Sequence, residues 1–163
     1  MDSVEKLARI REIAMTVSEP KNAGEIATVA DVSRNTAAKY LTQLAEDNVL
    51  IAETRGRETI YRPDPVTQYF SQLRKLTSEH TKDELTHELD AIRTDIERFS
   101  SRYGVDHPDE LRATVGDASG AEERAQRRQD AEDWEYFEHQ RQLIQQALEL
   151  YDGVVESRRT ARA

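Results

Sequence analysis

Arg34, Asn35, Thr36 and Lys39 lie within six residues, directly after Ser33, in the run from Glu25 to Leu44. Their shared chemistry is hydrogen-bond donation. A guanidinium reaches a guanine edge or a phosphate, a carboxamide pairs with adenine, and a hydroxyl or ammonium meets the phosphate backbone. The residues interleaved with them are of another kind. Ala37, Leu41 and Leu44 recur at spacings of four and three, the inner stripe of a helix. Ser33 can accept an amide of that helix's first turn, a cap worth about 1 kcal/mol. Upstream, Ile26, Ala27 and Ala30 predict the inner face of a shorter helix, with Val32 plugging the turn between the two. Ala27 and Ala37 are small enough to let the helices cross closely. The spacing predicts a helix-turn-helix with its second helix over 33–47 and a polar N-terminal face suited to a DNA major groove. The competing reading is a solvated face on a module that docks proteins. Clustering of the donors at the helix start, with Glu46 and Asp47 at its far end, favours DNA.

A second donor set surrounds Gly56-Arg57. Val49 to Arg55 is rich in β-formers, Thr59 to Arg62 is strand-like, and Pro63 stops the run, so a hairpin is predicted with Arg57 at its tip. Arg57 is placed to touch phosphate or minor groove, with Arg55 and Arg62 bracketing the wing. Charges at such a position also keep a hairpin edge from pairing with other chains. Hairpins this small do not stand alone, and Leu50, Ile51, Ile60 and Tyr61 include the positions expected to dock on helices.

Other chemistry is poorly represented. There is no phosphate-binding glycine loop and no nucleophile placed with a base, so the chain is not read as an enzyme. It has no cysteine, which excludes disulfides, thiol redox sensing and Cys-ligated zinc. His80, Glu84 and His87 fall near one helical face, but ordinary exposed side chains do so by chance, and no metal or cofactor is expected.

The elements that must position these residues follow from periodicity. Asp2 with Glu5 resembles a capping box opening a first helix through Val4, Leu7, Ile10, Ala14 and Val17, and residues 18–22 read as a polar loop. The order helix, helix, helix, strand, wing, strand is that of a winged helix. Asp64-Pro65 opens a further helix with Val66, Tyr69, Leu73 and Leu76 on one face. A capping box at Thr81 to Glu84 starts a seam of Leu85, Leu89, Ile92, Ile96, Phe99 and Tyr103. Residues 104–120 form a connector with a helical turn near Pro108 to Val115, and Ser119 to Glu122 reads as another capping box opening a helix to about residue 157. Its seam is Trp134, Phe137, Arg141, Ile144, Leu148, Tyr151 and Val155. The two seams are expected to bury against one another or against a second copy. Paired copies would set recognition helices about 34 Å apart and predict a palindromic operator. Arg141 can set register or snorkel to the edge. Trp134, Tyr136 and Phe137 could line a pocket for an aromatic ligand, with core or interface packing preferred.

Net charge is -9, from 32 acidic groups against 18 Arg and 5 Lys, so no general basic surface exists. Abundant carboxylates with few lysines fit a protein kept hydrated in molar salt, where counterion release contributes little to DNA affinity. No apolar run approaches a membrane span and Met1-Asp2 opens no signal peptide, which predicts a soluble, cytoplasmic protein without membrane partners.

Residues 1–65 resemble the winged helix-turn-helix transcriptional regulators of prokaryotes, in the ArsR-like and MarR-like group, at Ile26, Ala27, Ala30, Val32, Ser33, Thr36, Leu41, Leu44 and Leu50. With its Gly56 to Pro65 wing exit the whole chain is similar to haloarchaeal members. Where that pattern places Gly, this chain has Asp31 and Asn48, the non-glycine types that best accept left-handed backbone. The resemblance implies a winged helix-turn-helix over 1–65 with a two-stranded wing and says little about residues 104–163; with the seams read above, the expectation is a mainly α protein with a coiled-coil-like helical region over 66–157 that dimerises and has room to sense a signal, and a disordered basic tail over 158–163 without core-forming residues. It also implies that a metal held by carboxylates and His at a dimer contact is possible, although the spacing here is weak support. The combined expectation is a homodimeric, sequence-specific DNA-binding regulator. Ser33, Arg34, Asn35, Thr36, Lys39, Arg55, Arg57 and Arg62 would touch double-stranded DNA. Leu85, Leu89, Ile92, Ile96, Phe99, Trp134, Phe137, Ile144, Leu148 and Tyr151 would join subunits. The alternative is a winged-helix scaffold that binds protein without sequence-specific DNA contact. Operator, target genes and any small-molecule effector are not specified by the sequence.

Overall fold

The computed structural model describes residues 2–155 together with Ser157 and Ala161. Arg158, Arg159 and Arg162 of the expected basic tail lie outside the described residues. The chain is mainly helical with a small three-stranded antiparallel sheet, and it divides into two compact units after Ser71.

In the first unit, α1 (Ser3–Thr16) starts at a capping box in which the Asp2 side chain accepts the Glu5 amide and the Glu5 carboxylate accepts the Asp2 amide, both at 2.8 Å. α2 (Ala23–Ala30) starts the same way from Asn22 and Glu25. α3 (Arg34–Glu46) is capped by Ser33, whose hydroxyl accepts the Thr36 amide at 3.1 Å. Each cap satisfies an amide that would otherwise be orphaned at the helix start. Between α2 and α3 the backbone reverses at Asp31, and after α3 it reverses again at Asn48; both are left-handed, with φ of 54° and 58°. Asp and Asn thus hold the left-handed positions of both turns, and the following amides close each turn, Val32 onto Ala27 at 3.1 Å and Val49 onto Leu44 at 2.9 Å.

The hairpin is β2 (Leu50–Arg55) and β3 (Glu58–Pro63), turning at Gly56 with φ of 64°. It is not two-stranded alone. Lys21 and Asn22 form β1, pairing antiparallel with Tyr61 and Ile60, so the sheet order is β1-β3-β2. The loop expected over 18–22 thus contributes an edge strand, and two residues are too few for a period-2 signal to appear in sequence. Ile10, Ala14, Ile26, Ala27, Ala30, Ala37, Leu41, Leu44, Leu50 and Tyr61 make one buried core that fixes helices and sheet together. Burial of each large aliphatic side chain contributes on the order of 2 kcal/mol.

α4 (Pro65–Glu79) is capped by Asp64, which accepts the Thr67 amide at 2.8 Å. The Thr67 hydroxyl also donates to the Asn48 carbonyl at 2.8 Å. These bonds hold the start of α4 to the first unit and carry that unit past residue 65.

The second unit contains α5 (Lys82–Tyr103), α6 (Pro108–Ala113) with a 3-10 turn (Thr114–Asp117), and α7 (Ala121–Leu150), which ends in a π turn (Tyr151–Val155). The Thr81 capping box of α5 forms as expected. That of α7 does not. Its cap residue is Gly120, one position late, and Ser119 donates its amide and hydroxyl to Glu123 at 3.1 and 2.9 Å. Glu122 is therefore not the reciprocal partner.

α5 packs against α7 within one chain, burying Leu85, Leu89, Ile92, Trp134 and Ile144. Ile96, Phe99 and Tyr103 pack around Leu111, Ala131 and Trp134. Ala131, Leu143 and Ala147, which lie beside the heptad seam, are buried as well. α6 also packs on α7, and a helix with two neighbours needs a wider stripe than a two-helix seam. Phe137, Leu148 and Tyr151 are half-buried, and the Tyr151 hydroxyl donates to the Thr77 carbonyl at 2.9 Å and to the His80 carbonyl.

Candidate nucleic-acid interface

The core of the first unit divides α3 into two faces. Ala37, Tyr40, Leu41 and Leu44 are buried, so Arg34, Asn35 and Lys39 project from the N-terminal half into solvent. This is the division expected from the spacing of small and large apolar residues. Arg34 extends past α2: a methyl group added at Gly24 would meet the Arg34 Cδ at 4.0 Å and the Asn22 Oδ1 at 3.3 Å. Lys39 is exposed and its Nζ lies over the Tyr40 ring, 5.7 Å from the centroid.

Ser33 and Thr36 are committed locally. Besides the cap bond, their hydroxyls are 2.8 Å apart and share a hydrogen bond. Their role in the structure is to start α3, and Thr36 was expected as a phosphate contact.

The arginines of the hairpin separate in the same way. Arg55 and Arg57 are exposed on either side of Gly56 and make no ion pair among the described residues. Arg62 Nε donates to Glu53 Oε1 at 2.9 Å across the hairpin. The strand register pairs Arg62 with Ile51 and Glu53 with Ile60, so the two charged side chains meet on the diagonal. Among the described residues, the cations of the first unit without an ion pair are Lys6, Arg9 and Arg11 on α1, Arg34 and Lys39 on α3, and Arg55 and Arg57 at the β2/β3 turn.

Charge is unevenly shared along the chain. Residues 1–71 carry nine Lys or Arg against eleven Asp or Glu, a net of -2, whereas residues 72–163 carry fourteen against twenty-one, a net of -7. The acidic excess therefore belongs mainly to the second unit.

Neither unit offers a metal centre among the described residues. His80 Nδ1 lies 3.9 Å from Glu84 Oε2, and His87 is exposed without joining them in a cluster. A family model described as a family of unknown function (DUF7342) matches residues 5–153. The chain belongs to DUF7342. That match runs through both units, so the helical second half is as much part of the family's architecture as the first. No curated protein sequence matches the chain. Among solved structures, human N-acetylserotonin methyltransferase in complex with SAM is similar at a TM-score of 0.35 and 19% identity, over 63% of this chain and 34% of that one. The chain thus spans about a third of that protein's length, and a likeness so low carries no argument about fold or activity.

Of the expected site residues, Arg34, Asn35, Lys39, Arg55 and Arg57 are exposed and available. The sequence reading missed that β1 braces the hairpin. Asn22 with Glu25 three residues later marks only the start of α2, and the two residues of β1 hold no strand pattern.

Proposed function

We propose that the first unit is a winged helix-turn-helix that binds duplex DNA with sequence preference and that the protein is a homodimeric transcriptional regulator. One observation carries this reading: α3 buries Ala37, Leu41 and Leu44 and presents Arg34, Asn35 and Lys39 from the same two turns. A helix start with an arginine, an amide and a lysine outward reads base edges and phosphate together. Arg57, at the tip of the hairpin that follows, supplies a second backbone or minor-groove contact. The small net charge of the first unit removes the main electrostatic objection to DNA binding. An overall acidic protein of this kind relies on contact geometry more than on counterion release, which suits a medium of high salt.

Leu85, Leu89, Ile92, Trp134 and Ile144 of the α5 and α7 seams are buried within one chain, so the dimer contact is sought beyond them. Val66 and Phe70, one helical turn apart on α4, are 63% and 60% exposed and provide the apolar contact. No helix among the described residues is long and apolar enough to cross a membrane.

The test is selection from a random-sequence duplex pool by the purified protein at molar KCl. Wild type should enrich an inverted repeat, and a variant carrying Arg34→Ala with Arg57→Ala should not. If wild type enriches no sequence, the regulator reading fails and the protein-docking alternative takes its place.

A further inference from the structure

Thr42 lies on the outward face of α3, between Lys39 and Glu46. At about 100° per residue, Asn35, Lys39, Thr42 and Glu46 fall within about 60° of arc, directly opposite the buried Ala37, Tyr40, Leu41 and Leu44. All four are exposed. Asn35 makes no side-chain bond among the described residues, so its carboxamide keeps both donor and acceptor for a base edge. At the other end of the stripe Glu46 has no ion pair and would meet phosphate with like charge. Thr42 is therefore the last side chain of the stripe suited to approach bases.

The Thr42 hydroxyl is committed to the helix, where Oγ1 donates to the Ala38 carbonyl at 2.8 Å. A β-branched side chain has little χ1 freedom, and this bond turns its oxygen back along α3. What remains on Cβ to meet a groove is the methyl group. In the major groove thymine alone presents a methyl, at C5, and apolar contact with it distinguishes thymine from the other bases. Asn35 is seven residues away, about 10 Å along the helix axis against about 3.4 Å per base pair, so the two side chains meet different base pairs.

We propose, resting on the DNA-binding reading of α3, that Thr42 is a specificity-determining residue whose methyl group contacts the C5 methyl of a thymine. The recognition face then combines hydrogen bonding at Arg34 and Asn35 with one apolar contact a turn or more further along.

Deoxyuridine pairs with adenine as thymidine does and lacks only the C5 methyl. Replacing thymines one at a time in one half-site of the duplex selected by the full-length wild type therefore removes that group alone. At one position the replacement should weaken wild-type binding about fourfold, the factor for one buried methyl-sized group. Thr42→Ser keeps the hydroxyl and removes the methyl, and it should bind the thymine and uracil duplexes equally. Thr42→Val keeps a methyl in that place and removes the hydroxyl, and it should retain the fourfold preference. The residue is exposed, so both variants should keep the circular dichroism of wild type. A wild type that enriches no duplex overturns the DNA-binding reading and this contact with it. Where wild type selects a sequence, the contact alone is overturned if the half-site holds no thymine or if no single replacement weakens binding. It is equally overturned if Thr42→Ser still distinguishes thymine from uracil, or if Thr42→Val no longer does.

Discussion

Arg62 Nε donates to Glu53 Oε1 at 2.9 Å across the β2/β3 hairpin, whereas Arg57 at the turn has no such partner. The two arginines therefore differ in what DNA would gain from them. Arg57→Ala should weaken binding to every sequence alike and reduce the salt slope of affinity by about one, the signature of a lost phosphate contact. Arg62→Ala should change affinity less than about twofold, since an exposed pair of this kind is worth little to begin with. Anisotropy titrations over a range of KCl on the selected duplex distinguish the two. Equal losses for both variants would mean that Arg62 leaves Glu53 to bind DNA.

The left-handed residues Asp31 and Asn48 give a stability prediction. A non-glycine residue in this conformation is strained by about 1 kcal/mol, partly offset by the greater chain entropy that glycine loses on folding. Asp31→Gly and Asn48→Gly should each stabilise the first unit by roughly 0.5 kcal/mol. The Thr67 hydroxyl bonds the carbonyl of residue 48, so that link is kept in the glycine variant. Urea unfolding followed by circular dichroism gives the answer, and a loss of stability in both variants would show that the Asp and Asn side chains support the turns.

The assembly surface is open to a paired comparison. Leu89 and Ile92 are each 6% exposed in the contact of α5 with α7. Placing Asp at both should unfold the second unit, because a carboxylate there has no partner. Val66→Asp with Phe70→Asp should instead leave the helical signal unchanged and yield a monomer by light scattering. A folded Val66→Asp, Phe70→Asp variant that keeps the wild-type mass would exclude α4 as the contact.

Asp130 is 5% exposed and receives bonds from the Tyr103 hydroxyl, from Gln126 Nε2 at 2.7 Å and from Arg102 at 3.1 Å. Burial, reinforced by the hydrogen bond to Asp130 and its negative charge, raises the Tyr103 pKa above its ordinary 10.0. A raised phenol favours the protonated form in the folded state. Its contribution is complete below pH 10 and is lost as pH rises through the higher folded value. Wild type should thus lose thermal stability above pH 10 more steeply than Tyr103→Phe, which at neutral pH should be less stable by about 1.5 kcal/mol. Parallel pH slopes in the two proteins would remove Tyr103 as the cause.

Much of this architecture is legible in the residues, and the exceptions have physical causes. Ala37, Leu41 and Leu44 identify α3 and its outward face because a helix bound on one side by one core leaves a simple period. Asp31 and Asn48 announce their backbone conformation because few side chains tolerate it. β1 escapes because its pairing with Tyr61 and Ile60 is long-range and its own two residues have no pattern. The pairing of Arg62 with Glu53 is hidden in the sequence because only the strand register brings the two together. For α7, strict heptads describe contact with one neighbour. Ala131, Leu143 and Ala147 are buried because α6 joins α5 against it, a fact fixed by the fold of the connector and invisible in local spacing.

The unequal sharing of charge has a consequence for how the molecule responds to its solvent. With a net of -7 on residues 72–163 and -2 on residues 1–71, self-repulsion is concentrated in one half of the chain. Removing salt lengthens the range of that repulsion from about 3 Å at 1 M to about 30 Å at 0.01 M. Dilution would therefore act as a selective denaturant, loosening the helices around Trp134 while the half bearing Arg34 and Arg57 keeps its fold.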